Sequence, residues 1–377
     1  MNIAFALYKY FPYGGLQRDM LRIAQACTSL GAAITVYCSE WQGEQPDNIC
    51  IEILPVSRNS NHSRNRQFYD VLQTRLAIKT YDLVVGFNKM PGLDIYYAAD
   101  TCFKAKLMQE RLPFLRHLPR YRQYLCDEEA VFGGGSHTAV LAISARSVEE
   151  YEKYYPGSKQ RCTVLPPGIN PDRRAGADAQ DIRLRFRQAW LPANDENLVL
   201  MVGSGFRTKG LDRAIRALAA LPGDIREKTK MVVIGQDKPD AFIRLARKLG
   251  VENRLQFLAG RDDIPDFLQG ADVLIHPAYR ENTGTVLLEA AVAGLPVLTT
   301  AVCGYSNYIR EYDCGMVVNE PYEQRNLDNA LAAALRDDAQ RAIWRSNGLA
   351  MAATADIYSL FERAAGMIVA AARHRQP

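Results

Sequence analysis

The sequence predicts an α/β protein built from two Rossmann-like domains, each a parallel sheet wrapped by helices. Three observations carry this. Short apolar runs alternate with helical stretches along the chain. The alternation occurs in two successive series. Each series opens with a strand, a glycine-bearing loop and a helix. The 377 residues, 48% of them hydrophobic, suffice for two buried cores.

Ile3–Leu7 is an apolar run suited to a strand covered on both faces. The turn-rich Tyr10–Gly15 follows. Leu16, Met20, Ile23, Ala24 and Cys27 then share one face of a helix over Leu16–Leu30. Ile34–Tyr37, Leu83–Gly86 and Val140–Ile143 are further strands of this series. Leu198–Val202 opens the second series, with the loop Gly203–Gly210 and the helix Leu211–Leu221. Met231–Ile234, Leu255–Phe257, Val273–Ile275 and Pro296–Thr299 continue it. Such alternation implies parallel sheets joined by right-handed crossovers. Pro166-Pro167-Gly168 is the expected hinge, two fixed φ angles beside a residue that turns sharply. Domains are therefore expected at 1–166 and 167–354, facing one another across a cleft. A helix within 355–377, amphipathic over Ile357–Ala371, is expected to pack back on the first domain.

Composition excludes several classes. The net charge of +4 is too mild to imply a nucleic-acid partner, and no nucleic-acid module is present. The eight cysteines form no CxxC pair and no metal or disulfide spacing, as expected for free thiols in a reducing compartment. The longest uncharged run, Ala290–Ile309, is broken by Gly294, Pro296 and Gly304, so it reads as helix end, strand and loop. Met1 leads directly into the first strand without a basic leader, and a cytoplasmic location is expected.

The strongest chemical motif is Glu281-Asn282-Thr283-Gly284-Thr285, followed by Val286-Leu287-Leu288-Glu289. It follows the strand Val273–Ile275 and leads into a helix over Val286–Ala293. The start of that helix offers unpaired N–H groups and a positive dipole end, which suit a diphosphate. Gly284 lets the backbone approach a ligand. Glu281 is placed to accept hydrogen bonds from sugar hydroxyls, and Glu289, about two turns on, from a ribose diol. On spacing alone the two acids serve equally well as a helix-start acid and a solvated helix residue.

The Glu-x7-Glu pattern resembles the signature of the retaining GT-B glycosyltransferases of family GT4. The blocks YKYFPYGGLQRD, NHSRN, GFNKMPGLD, PPGINPDR, GQDKP, HPAYRE, LLEA and AGLPVLTTAVCGY extend the resemblance over most of the chain. They are most similar to members that add glucose to the lipopolysaccharide core of Gram-negative bacteria. The resemblance implies a GT-B fold and transfer of glucose from UDP-glucose to an inner-core heptose. It places Gly14 and Gly15 against the donor phosphates and Arg173 near them. It also implies donor-side roles for Ile234, Gly260, Arg261, Asn282, Thr283, Gly284, Thr285 and Glu289, and a catalytic one for Glu281. Lys209 carries over directly. The adjacent family arginine is replaced by Thr208, with Arg207 as its expected substitute. Related members have small residues after the first glutamate, whereas this chain has Asn282-Thr283. Glucose is the first choice of sugar, with galactose or an N-acetylhexosamine as the alternatives.

No Asp-x-Asp occurs in the chain, so a metal-independent mechanism without a cofactor is expected, the positive charge coming from Arg, Lys and helix dipoles. Asp19, one turn into the first helix, is expected to contact the donor sugar or the acceptor. Where many family members carry a histidine, Tyr97-Ala98-Ala99-Asp100 offers Asp100, either as a base or as a capping residue. Retaining transfer also proceeds without a protein base if the departing phosphate takes the acceptor proton. His62 and Lys89 either hold an anionic acceptor or satisfy their own loops. A dehydrogenase is disfavoured, because the first strand–helix loop lacks GxGxxG. A non-catalytic sugar-nucleotide-binding protein is disfavoured by the intact Lys209, Glu281 and Glu289.

Phe103–Leu125 carries six cations and one acid, Glu110. Lys104, Lys106, Arg111, Arg116, Arg120 and Arg122 are interleaved with apolar and aromatic residues, which suits an anionic membrane surface. Pro113 and Pro119 predict two short helical pieces rather than one. The expected location is peripheral, on the inner face of the bacterial inner membrane. Changing Arg116, Arg120 and Arg122 together to Glu should weaken cosedimentation with anionic vesicles at low salt. Unchanged binding would remove the membrane reading.

Overall fold

The protein is described from a computed structural model that covers residues 1–12, 14–109, 117–191 and 196–375. It divides into two compact units, Met1–Gly168 with Ser359–Pro377, and Ile169–Tyr358.

Unit 1 holds seven parallel strands: β1 (Asn2–Ala6), β2 (Ala33–Cys38), β3 (Cys50–Ile53), β4 (Leu83–Gly86), β5 (Ile95–Ala98), β6 (Ala139–Ala142) and β7 (Cys162–Val164). Their order is β3-β2-β1-β4-β5-β6-β7, so the direction of winding reverses between β1 and β4. Ile3 to Ala6 are fully buried, as an inner strand covered on both faces requires. β3, β5 and β7 were not foreseen. Cys50–Ile53 contains Glu52, Cys162–Val164 contains Thr163 and Ile95–Ala98 contains two tyrosines, so none is a run of branched aliphatic residues.

Unit 2 holds β8 (Asn197–Val202), β9 (Thr229–Ile234), β10 (Leu255–Leu258), β11 (Val273–His276), β12 (Val297–Thr300) and β13 (Gly315–Val318). The order β10-β9-β8-β11-β12-β13 reverses between β8 and β11. Loops leaving the carboxyl ends of two strands at such a reversal part to opposite faces and leave a crevice, where α/β sheets bind ligands. The loops 203–210 and 277–284 leave these two strands.

The chain crosses between the units at 168–169 and at 358–359. Gly168 has a reason other than a sharp turn: a Cβ there would lie 2.6 Å from Leu360 Cβ. The C-terminal helix starts at Leu360, three residues later than expected. Ile357 is instead buried in the core of unit 2, where its carbonyl accepts from the Ile169 N–H (3.1 Å). From Leu360 to Arg373 the helix buries residues 360, 361, 364, 365, 368, 369 and 372, a spacing of three and four that keeps one face inward. That face packs with Met20, Ile23, Ala24 and Cys27 of the helix Gly15–Ser29. Among the described residues, no helix is long and apolar enough to cross a membrane.

Ile368 is fully buried in this seam. Ile368→Ala should destabilise unit 1 by about 2–4 kcal/mol, the usual cost of a large-to-small core change. Chemical denaturation followed by circular dichroism measures it; a loss under ~0.5 kcal/mol would mean that the helix contributes little to unit 1.

Candidate active site

The carboxyl edge of unit 2 brings together three side chains. Lys209 donates to Glu281 Oε2, and His276 Nε2 lies 3.2 Å from the same oxygen. His276 ends β11 and is almost fully buried. Burial, aided by the neighbouring Lys209, pushes its pKa down to about 3. The ring is therefore neutral at physiological pH, and with its proton on Nε2 it donates to the carboxylate. Its Nδ1 is buried without a hydrogen-bond partner among the described residues. Removal from water draws the Lys209 ammonium below its ordinary pKa, and Glu281 supplies the counter-charge.

The two loops that carry this group are tied to each other. Gly210 has φ +77°, and a Cβ on it would lie 2.0 Å from the Pro277 carbonyl oxygen, so only glycine fits the approach. The Tyr279 N–H donates to Thr208 O (2.9 Å). Arg213 donates to the carbonyls of Pro277 and Ala278, and its guanidinium lies 3.6 Å from the ring centroids of both Tyr279 and Tyr322. On the other side, Tyr305 N–H donates to Thr283 O (2.7 Å), and Glu281 bridges Cys303. Phe206 roots the loop 203–210 in the core, and its N–H donates to Asp237 (2.9 Å).

Gly284 caps the helix Thr285–Val292, whose first turn holds no acid to occupy its N–H groups. Thr285 stands exposed at that start, with Asn282 and Thr283 partly exposed before it. Glu289 lies within the helix, its Oε1 3.6 Å from Arg173 Nε, so two residues 116 positions apart meet. Arg207 is exposed and, among the described residues, makes no side-chain hydrogen bond. Beside the loop, a cavity of about 680 Å3 opens at the ends of β9 and β10, walled by Phe206, Pro239, Phe257, Leu258 and Gln236. Ile234 ends β9 next to it, and Gly260 lies against Gln236. Arg261 is held by Asp263 in a two-pronged pair (2.7 and 2.6 Å). Among the described residues, no group of three or more His, Cys, Asp or Glu forms a metal cluster.

In unit 1, Gly14 precedes the helix Gly15–Ser29 at the end of the loop leaving β1, one partner of the strand-order reversal. Asp19, in that helix, accepts from Tyr97 OH (2.8 Å), and burial raises its pKa. Asp100 accepts from Tyr96 OH and pairs with Lys89 (3.2 Å). Tyr96 and Tyr97 leave opposite faces of β5, so the two candidate acids are anchored from different faces. Lys89 is not available to an acceptor. Its three donors are spent on Glu128 (2.7 Å), Asp100 and the Thr101 carbonyl (3.1 Å). Glu128 is fully buried and also accepts from the N–H groups of Phe103 and Lys104 and from Tyr155 OH. His62 sits near the start of the helix Asn61–Ile78, its Nδ1 3.2 Å from Ser60 Oγ.

Among the described residues, the basic segment holds the helices Phe103–Gln109 and Pro119–Phe132, the second with Pro119 in its first turn. Lys106, Arg120 and Arg122 are exposed, as are Met108 and Leu118. Lys104 is a correction: it turns inward to the Tyr154 carbonyl (3.1 Å) and the Tyr155 ring. Arg111 and Arg116 lie outside the described residues.

His276 and Glu128 were not singled out from the sequence. His276 stood in view, five residues before Glu281 in the block HPAYRE. Glu128 gave no signal, because its partners lie 24 to 39 residues away.

Two family matches account for most of the chain. Residues 13–173 match Glycosyltransferase Family 4, and 183–351 match Glycosyl transferases group 1. With two parallel-sheet Rossmann-like units, the chain belongs to the GT-B glycosyltransferases. In particular it is 45% identical over 368 residues to the lipopolysaccharide glucosyltransferase WaaG of Escherichia coli K12, covering 98% of each chain. The crystal structure of WaaG superposes with a TM-score of 0.88, covering 97% of this chain and 99% of that one. Anabaena Alr3699/HepE in complex with UDP-glucose shares the fold at 20% identity, with a TM-score of 0.72 and coverage of 98% and 99%.

Glu281→Gln keeps the shape and leaves an amide oxygen for Lys209 and His276, so the loops should hold. Sugar transfer should fall by roughly 10²-fold or more, while UDP affinity measured by titration calorimetry stays within about threefold. Equal turnover would refute the role assigned to Glu281.

Proposed function

We propose that this protein transfers glucose from UDP-glucose to a heptose of the lipopolysaccharide inner core, with retention and without a divalent ion. The observation that carries the reading is the Lys209–Glu281–His276 group at the strand-order reversal of unit 2. It gains weight from 45% identity to a lipopolysaccharide glucosyltransferase over 98% of the chain.

In this reading the uracil ring enters the cavity beside Phe206 and Phe257, next to Ile234 and Gly260. Glu289, aligned by Arg173, accepts from the ribose hydroxyls. The diphosphate meets Lys209, Arg207 and the open N–H groups at Gly284–Thr285. Glu281 accepts from the sugar hydroxyls, with His276 fixing its orientation. The bond from the anomeric carbon to the phosphate oxygen breaks, and a bond to the acceptor oxygen forms on the same face. The acceptor's proton passes to the departing phosphate, whose growing charge Lys209 and the helix start stabilise. No Asp-x-Asp is available to hold a metal on the diphosphate.

Unit 1 takes the acceptor, with Asp19, Asp100 and His62 as its candidate contacts, while the helix start at Gly14–Gly15 faces the donor phosphates. Exposed Lys106, Arg120 and Arg122, mixed with exposed Met108 and Leu118, dock the protein on the anionic inner face of the inner membrane. A second reading keeps the fold and the acceptor but changes the donor to another UDP-hexose or a UDP-N-acetylhexosamine. It is favoured by the polar pair Asn282-Thr283 where the sugar would lie.

A donor screen with core-truncated lipopolysaccharide, read by mass spectrometry, separates these readings. A mass gain of one hexose from UDP-glucose, retained in EDTA, is the expected result. A gain only from another donor would select the second reading, and loss of activity in EDTA would overturn the metal-free mechanism.

A further inference from the structure

The opposite edge of unit 2's sheet holds a second cavity, of about 520 Å3, next to the start of β8 and the residue before β11. Five arginines line it: Arg183, Arg187, Arg336, Arg341 and Arg345. The acids on its wall are already engaged. Asp272 accepts from Arg183 (2.5 Å), Arg187 (2.9 Å) and the Leu198 N–H (2.8 Å). Glu196 pairs with Lys230 (3.1 Å), and Asp338 pairs with Arg341. Arg183 also donates to the carbonyls of Gln269, Gly270 and Ala271 at the end of the helix Ile264–Gly270, and Arg187 to the Glu196 carbonyl. Those two arginines are structural.

Arg345 differs. It is half-buried, its stem runs past Gly294, and among the described residues it makes no hydrogen bond or ion pair. Burial, with Arg183, Arg187 and Arg341 close by, draws its pKa down to about 10 against the opposing charge of Asp272, so it is still charged at physiological pH. Arg336 is exposed and likewise unpaired among the described residues. A guanidinium held away from water among other guanidiniums is unfavourable unless an anion joins it.

We propose that this cavity binds a compact multivalent oxyanion of the phosphate or pyrophosphate class, anchored by Arg345 and flanked by Arg341 and Arg336. The planar fork of Arg345 matches two oxygens of one phosphoryl group. Five cations face three acids, so a surplus of two positive charges is left for the ligand. A cavity of this volume admits a free phosphorylated small molecule, and the occupant is assigned to that source rather than to a lipid headgroup.

The test uses the full chain with UDP held at saturation, so that the donor side is filled. Inorganic pyrophosphate is titrated by calorimetry into wild type and Arg345→Gln. Binding at least tenfold weaker in Arg345→Gln, with unchanged UDP affinity, is expected. Equal binding in both proteins, or none in wild type, overturns the site. If Arg345→Gln unfolds by circular dichroism, Arg336→Gln replaces it, with a severalfold loss expected and no loss overturning. Phosphatidylglycerol vesicles form the second arm, with cosedimentation unchanged by Arg345→Gln. Vesicle binding lost while pyrophosphate binding is kept would overturn the assignment to a small oxyanion.

Discussion

A carboxylate held largely out of water beside one ammonium is the constraint around which unit 2's site is arranged. The Lys209 and Glu281 side chains are only 23% and 12% exposed. A pair in such a place is stable only if both partners stay put, because breaking a buried pair costs about 3–5 kcal/mol. The loops are fixed accordingly. Gly210 allows one backbone to press on the Pro277 carbonyl, Arg213 is gripped by two tyrosine rings, and Tyr305 holds Thr283. Neutral His276 adds a donor to the carboxylate without adding a charge. An arrangement that costs little reorganisation during reaction is what electrostatic stabilisation of a leaving group requires.

Unit 1 uses the same physics for a different purpose. Glu128 is more deeply buried than Glu281, and four side-chain or backbone donors besides Cys102 converge on it. Its lone pairs are satisfied from inside, so no acceptor capacity remains for a ligand. The outcome is an anchor: Glu128 stops the first turn of Phe103–Gln109 from moving and takes Lys89 out of the surface chemistry. Asp100, more than half exposed, is open to solvent. Burial thus separates a structural carboxylate from an available one within a single network.

The parts that were legible in the sequence are the parts encoded locally. Strand–loop–helix units at the start of each series stood out through continuous apolar runs and helical spacing, and β1 and β8 fall where those runs lie. β5 did not stand out, since Ile95–Ala98 holds two tyrosines rather than a run of branched aliphatic residues. The Glu281 and Lys209 positions were marked by a spaced motif and a glycine loop. Their meeting was not marked, because the two residues lie 72 positions apart and meet only because β8 and β11 are side by side. Lys89 illustrates the converse: the sequence left it either an acceptor contact or a residue satisfying its own loop, and its partner Glu128 lies 39 residues away in the helix Pro119–Phe132. The Arg173–Glu289 approach was implied only in that both were placed on the donor side.

Asp272 immediately precedes β11 and His276 ends it, so the arginine cavity and the Lys209 group lie at opposite ends of one strand. Sharing a strand does not by itself couple them. Coupling needs an element with two arrangements that a ligand binds unequally. Arg183 and Arg187 are already locked by Asp272 and by the carbonyls ending the helix Ile264–Gly270, whether or not an anion is near. An oxyanion at Arg345 therefore adds charge balance at a side chain with no hydrogen bond or ion pair among the described residues, and leaves β11 where it is. Its effect on unit 2 is stabilisation by mass action, and the rigidity that holds Glu281 beside Lys209 is the reason the effect stays at its own edge of the sheet.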